Sequence, residues 1–177
     1  MGNGPFGLER GMMKKDFTCD LEEVAPHIYM LSAVPRPHSA FEAYAAMIAP
    51  NHGLSWIKAI GGDINTNPFG VEVRSNFDKM RSKLAGIYQN YEDMDFLMHD
   101  SIWNEPRDWM QALENRERVL MIVWEAKHGS KMKDSLVSVA LMAIAKDTNT
   151  GYIVVEYEFD NHAEAKNELS AIEDQAL

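Results

Sequence analysis

A single cysteine, Cys19, stands among 177 residues, so no internal disulfide forms and the fold does not depend on an oxidising compartment. Basic residues are also scarce, 17 against 27 acidic, giving a net charge of −10. Such a surface repels the phosphate backbone of a nucleic acid and an acidic membrane, and attracts a basic protein. No apolar run approaches the roughly 18 residues needed to cross a bilayer. The start, Met1-Gly2-Asn3-Gly4-Pro5, has neither the basic nor the apolar region of a secretory leader. The expected location is therefore cytoplasmic, or periplasmic if a native leader has been removed. Glycine-rich phosphate loops and the Gly-x-Ser-x-Gly elbow of serine hydrolases are missing too. What remains is an ordinary globular composition, 46% hydrophobic and 25% charged, in a length that buries a core of its own.

Along the chain, Phe6-Gly7-Leu8 reads as a short strand-like piece. The charged turn after Gly11-Met12 sets Met13 and Phe17 on one helical face. His27–Ser32 reads as a strand stopped by Pro35-Arg36-Pro37, because proline removes ladder donors and restricts its neighbour. The apolar runs Phe41–Ala49 and Leu54–Ile60 flank Pro50-Asn51-His52-Gly53 and predict a hairpin. From Val71 to about Tyr91 the period becomes helical: Phe77, Met80, Leu84, Ile87, Tyr88 and Tyr91 form one stripe, opposite Arg74, Asp78, Lys79, Arg81 and Lys83. Pro106–Leu113 predicts a short helix with proline near its first turn. Arg118–Glu125 predicts a central strand apolar on both faces. Ser135–Lys146 and Tyr152–Phe159 predict a second hairpin around Asp147–Gly151, and Ala163–Ala171 a last helix.

These elements imply one α+β domain over residues 1–177, an antiparallel sheet of about five to seven strands packed by helices. Each half reads as helix, three strands, helix. Pseudo-repeat halves at 6–91 and 105–174 are therefore an open alternative, drawn from element order alone.

Phe6-Gly7-Leu8, Gly11-Met12 and the charged turn after them resemble the start of the small bacterial α/β modules of the BamE (SmpA) family, a module also found doubled in the β-lactamase inhibitor protein. The family usually follows Gly-Met with a Ser or Thr cap and later a Leu-Gly-x-Pro turn. Here Met13 takes the cap position and no such turn follows Phe17. The resemblance implies a helix-plus-antiparallel-sheet protein that binds other proteins, and transfers no site residue. The stretches Gly53–Gly61, Ser101–Pro106 and Asp108-Trp109-Met110 are similar to a bacterial family of unknown function, which implies no activity.

Residues with chemical potential are few. Glu158, Asp160 and His162 alternate on an extended chain and share a face, a pattern that zinc or manganese accepts. A solvated strand end, with Asp160-Asn161 capping the last helix, is the plainer reading. Asp95 and His99 lie four apart without the helix that would align them. Ser39 and His38 are adjacent, so on a strand they point to opposite faces. Cys19 sits among Asp20, Glu22 and Glu23, which disfavour a thiolate. The expectation is no catalytic residue, no metal and no cofactor. Trp103, Trp109 and Trp124 are candidates for a ligand pocket or a protein-binding hot spot, but Trp is also a common core residue, and Trp124 at the end of an apolar strand reads most simply as core. Trp103, in a loop between Asp100 and Glu105, is the one expected to be exposed. Met94 and Met98 flank Phe96 and Leu97 in an acidic setting, where flexible thioethers suit either a core gap or an irregular partner. The loop Pro35–His38 is read either as a semi-rigid projection suited to contacting a partner or as an inert crossover.

The sequence thus points to a non-catalytic, bacterial protein-binding module of the immunity or inhibitor type that neutralises a basic toxin or enzyme. Its contacts are placed at Asp100, Trp103, Glu105, Glu156 and Glu158. A cell-envelope accessory or assembly factor and a small metal-dependent hydrolase are the alternatives. Leu136–Ala145 is apolar on both sides, and a single helical layer covers only one face of a sheet. The uncovered face is expected to meet a second copy or another protein.

Overall fold

Gly53, at the end of the first predicted hairpin turn, has φ +67°, and an added Cβ would lie 2.3 Å from the carbonyl oxygen of Gly11. Only glycine lets the two backbones approach so closely there. Around this turn the computed structural model, which describes residues 2–177, forms the expected hairpin from β3 (Phe41–Ala49) and β4 (Gly53–Gly61). Preceding it are β1 (Leu21–Ala25) and β2 (Ile28–Leu31). After it come β5 (Ile64–Asn65), α1 (Val71–Tyr88), β6 (Glu92–Leu97) and α2 (Trp109–Glu114). The chain ends with β7 (Arg118–Trp124), β8 (Leu136–Ala145), β9 (Thr150–Phe159) and α3 (His162–Asp174). The strands are hydrogen-bonded neighbours in the order β1-β2-β3-β4-β9-β8-β7-β6, with β5 against β9. The class is α+β as expected, but the sheet has nine strands rather than five to seven.

Three strands beyond the six read from the sequence account for the difference, the two-residue β5 and the two edge strands. β1 is Leu-Glu-Glu-Val-Ala and β6 is Glu-Asp-Met-Asp-Phe-Leu, and both carry carboxylates where an apolar alternation would have announced a strand. Charges on edge strands block further pairing, and here they also hide the strands from a hydrophobic pattern. The opening segment is not a strand piece followed by a helix. Pro5–Gly7 and Lys14–Asp16 are single 3-10 turns.

Contacts divide the chain into two compact units. The first contains residues up to Ala59, Met132–Ser138 and Glu156–Leu177. Its ladder pairs Leu21 with Leu31 and Glu23 with Tyr29, breaks at a bulge before Ala25, and continues from Ile28–Leu31 onto Met47–Tyr44. Phe6 packs edge-on against Tyr44, Phe41 and Tyr157, with ring centroids 4.8, 5.7 and 5.6 Å away. The Pro35–His38 loop is no free projection. Arg36 donates from its backbone N to Phe6 O, and from its guanidinium to the carbonyls of Gly2 and Gly4.

The second unit contains Ile60–Lys131 and Val139–Val155. α1 buries Val73, Phe77, Met80, Leu84 and Tyr88, spaced by four, three, four and four residues along one stripe. Fully burying a side chain the size of Phe77 contributes about 1.5–3 kcal/mol. Ile87, expected in that stripe, is exposed, and Tyr91 lies beyond the helix. α1 stops at Tyr88 because Gln89 turns to φ +66°, with its carbonyl accepting the Trp124 indole N–H at 3.1 Å. At the other end Gly70, φ +69°, leaves room for Trp109, whose ring an added Cβ would meet at 2.3 Å.

Candidate partner-binding surface

In the second unit the register fixes which side chains share a face, since directly paired residues of antiparallel strands lie side by side. Trp124 pairs with Val139 and Ile122 with Leu141, all four buried. This is the helix-covered face, with Tyr88 of α1 tilted against Trp124 at 6.4 Å. On the opposite face Met94, Met121 and Met142 align in one row across β6, β7 and β8. Phe96 lies beside Val119 in the next row, and Glu92, Val123 and Ala140 form the row on the other side. Met94, Met121, Met142 and Val119 are half-buried and Phe96 is 47% exposed, whereas Val123 is covered. Neither helix of this unit lies on that face. Its side chains are thus apolar, partly wet and, in the methionine row, unbranched and adaptable.

Carboxylates line the edge strand beside this surface, Glu92 on its own side and Asp93 and Asp95 on the helix-covered side. Glu92, Asp93 and Asp95 stand exposed on β6, with no basic residue among the six of that strand. Asp95 lies 3.6 Å from Arg118, and Glu92 lies 2.9 Å from His128 Nε2. Past β6 the loop Met98–Glu105 adds exposed Met98 and Ile102, the latter at 74%. Of the predicted contacts, Asp100 and Glu105 are exposed in this loop, Glu105 in an ion pair with Arg107 at 2.9 Å. Trp103 is half-buried, its backbone N donating to Ser101 Oγ, and the exposed apolar residues of the loop are Met98 and Ile102. Trp109 and Trp124 are buried, so neither is available as a surface anchor. Trp109 instead carries the Arg74 guanidinium stacked 4.2 Å from its ring centroid. Burial, and then the nearby charge of Arg118, push the Arg74 guanidinium below its ordinary value.

The structure therefore brings Asp100, Trp103 and Glu105 into one loop, while Glu156 and Glu158 lie on β9 in the first unit. There burial pushes the Glu156 carboxyl above its usual range. Lys58 opposes the shift and Glu158 adds to it. Sequence reasoning missed Met121 and Met142. Both sit in runs that are apolar at every position, so only the register of β7 with its neighbours separates them from buried Leu120 and Leu141.

The polar groups of the first unit serve the fold. Glu168 of α3 accepts hydrogen bonds from the backbone N of Asn51 (2.9 Å), the backbone N of His52 (3.1 Å) and His52 Nδ1 (2.6 Å). Burial of the Glu168 carboxyl opposes ionisation, but these donors outweigh it and hold the group below the usual carboxylate range. Ser55 Oγ lies 3.1 Å from His162 Nδ1, a serine–histidine contact with Ser55 wholly buried and out of a substrate's reach. Burial also pushes the His162 imidazole below its ordinary value. Asp160 and Asn161 do not cap α3 through side-chain bonds. Asp160 pairs with Arg10, and Asn161 Nδ2 donates to the carbonyls of His52 and Leu54. Asp160 and His162 are thus drawn to different partners. Among the described residues no three His, Cys, Asp or Glu side chains gather to hold a metal ion. Asp95 is on β6 and His99 is 97% exposed beyond it.

Cys19 is half-buried in a cleft of about 740 Å³ in the first unit, lined also by Leu8, Glu9, Met12, Asp16 and Asp20. No described helix is long and apolar enough to cross a membrane. No protein-family model, curated protein or solved structure matches the chain.

Proposed function

We propose that this chain is a non-catalytic protein-binding module of the immunity or inhibitor type, which neutralises a basic toxin or enzyme by covering part of its surface. The observation that carries this reading is the half-exposed apolar face of β6, β7 and β8, with Met94, Met121 and Met142 in one row and the carboxylates of β6 along its edge. An apolar centre with a charged rim is the usual anatomy of a specific interface. The −10 charge steers a cationic partner to it. Asp100, Trp103 and Glu105 extend the rim at the end of β6. Glu156 and Glu158 are a second acidic contact set on β9.

The test is affinity purification of the tagged protein from its native cells, wild type beside Met121→Glu, followed by mass spectrometry. The reading expects a stoichiometric basic protein on the wild type, and its loss from a variant that keeps the wild-type circular dichroism. Absence of any such protein, or its equal retention by Met121→Glu, refutes the reading.

A further inference from the structure

The two strands that end the sheet differ in how they are protected. β1 is five residues long and interrupted by a bulge between Glu23 and Ala25, which twists an edge away from further pairing. β6 has no such interruption. Glu92 to Leu97 pair with Val123 to Arg118 in six consecutive register steps. Its other side has no strand partner and accepts no further backbone bond among the described residues. An unbulged edge strand presents a row of free N–H and C=O groups and is a template for another strand. What guards β6 is charge alone, namely Glu92, Asp93 and Asp95.

Charge of one sign excludes partners selectively. Another acidic edge, including that of a second copy, is repelled, and a cationic strand is attracted. The side chains sort by face. Glu92, Met94 and Phe96 project on the open face, and Asp93, Asp95 and Leu97 on the other. Asp95 is already shared with Arg118, whereas Asp93 has no ion pair among the described residues. We propose that β6 receives an extended segment of the partner protein by strand addition, its residues alternating between apolar side chains beside Met94 and Phe96 and Lys or Arg side chains beside Asp93 and Asp95. The inference rests on the reading of this chain as a binder of a basic protein, and adds the mode and the sequence chemistry of the contact. The added strand extends the methionine row by one position, so backbone pairing and apolar burial reinforce each other.

Three synthetic nonapeptides, blocked at both ends, test this on the full-length protein. The first alternates Val and Lys, the second is the same with alternate backbone nitrogens methylated, and the third alternates Val and Glu. Amide chemical shifts and hydrogen exchange report where each binds. Strand addition expects the Val-Lys peptide to bind and to slow exchange of β6 amides. It expects methylation to weaken binding at least about tenfold, since several ladder bonds are lost at once. The Val-Glu peptide should not bind, and Asp93→Lys should weaken the Val-Lys peptide several-fold with the fold intact. Equal binding of the methylated or the Val-Glu peptide overturns the proposal, as does protection that maps away from β6 or a Val-Lys peptide that does not bind. If the peptides behave in any of these ways while Met121→Glu still loses the native partner, strand addition fails and the binding face stands. If the Val-Lys peptide protects β6 while Met121→Glu keeps the partner, the face fails and strand addition stands.

Discussion

Gly53→Ala tests a close backbone approach at a positive-φ turn of the first unit. Alanine at φ +67° enters the left-handed region, at a cost of about 1–2 kcal/mol. Its Cβ would also lie 2.3 Å from Gly11 O, 2.6 Å from Gly11 C and 2.8 Å from Met12 O. All three are backbone atoms, so no side-chain rotation relieves the overlap. The Gly11–Met12 segment must move away. It is held to the start of β4 by Gly11 N to Leu54 O and Leu54 N to Met12 O, both 2.8 Å. Losing these two bonds adds about 0.5–1.5 kcal/mol each. The expected destabilisation is about 2–5 kcal/mol, a fall in Tm of roughly 5–15 °C for a chain of this length. Gly86→Ala is the matched control. That residue lies inside α1 with nothing within 4 Å of an added Cβ, so alanine should stabilise by about 0.5–1 kcal/mol through helix propensity. Urea unfolding followed by circular dichroism measures both. A Gly53→Ala variant within 1 kcal/mol of wild type would refute the reasoning, because neither the positive φ nor the backbone overlap could then be real.

Glu168→Gln should cost about 1–3 kcal/mol at pH 7, because it removes a charged acceptor from three donors. The folded-state carboxyl is depressed, so this stability is present above the unfolded value of about 4.3 and is lost as pH falls through the folded one. The gap between wild type and variant, read from urea midpoints, should therefore narrow below about pH 4. A gap that stays constant to pH 3 sinks the linkage. His162 is also depressed, by burial first, so the unfolded chain takes up this proton more readily and stability falls as pH drops below about 6.5. His162→Gln should flatten the stability slope between about pH 6.5 and 5, and an unchanged slope would count against a neutral buried imidazole.

What the sequence revealed follows from where water lies. The α1 stripe at Val73, Phe77, Met80, Leu84 and Tyr88 was legible because one face meets the core and the other meets solvent. Its end was not, since Tyr91 continues the period and only the capture of the Gln89 carbonyl by Trp124 stops the helix. The β3–β4 and β8–β9 hairpins were legible from their turns. The edge strands were not, because residues that guard an edge are those a strand pattern penalises. Trp103 was placed in the right loop but given the exposure that belongs to Ile102, a difference set by the Ser101 contact and invisible in composition. The methionine row is the deepest omission. Met94, Met121 and Met142 are 27 and 21 residues apart in sequence, and only register joins them.

On the proposed function, register also bears on which of two occupants, a second copy or another protein, fits this apolar face. A second copy laid face to face would bury the methionine row, but would also bring Glu92 of one molecule, with Asp93 and Asp95 behind it on the same strand, toward the acidic strand of the other. Each such pair opposes association by about 0.4 kcal/mol at roughly 10 Å in water, and by more once water is excluded. The whole-chain charges of −10 add to that repulsion at separations within a Debye length. A cationic partner reverses every one of these signs while burying the same apolar area. Methionine suits the second case for a separate reason. A self-complementary dimer interface is packed by one fixed geometry, for which branched side chains are better defined, whereas flexible thioethers tolerate a partner whose surface they did not fold against. Acidic edge and soft centre therefore both support the proposed reading of a basic partner over that of a second copy.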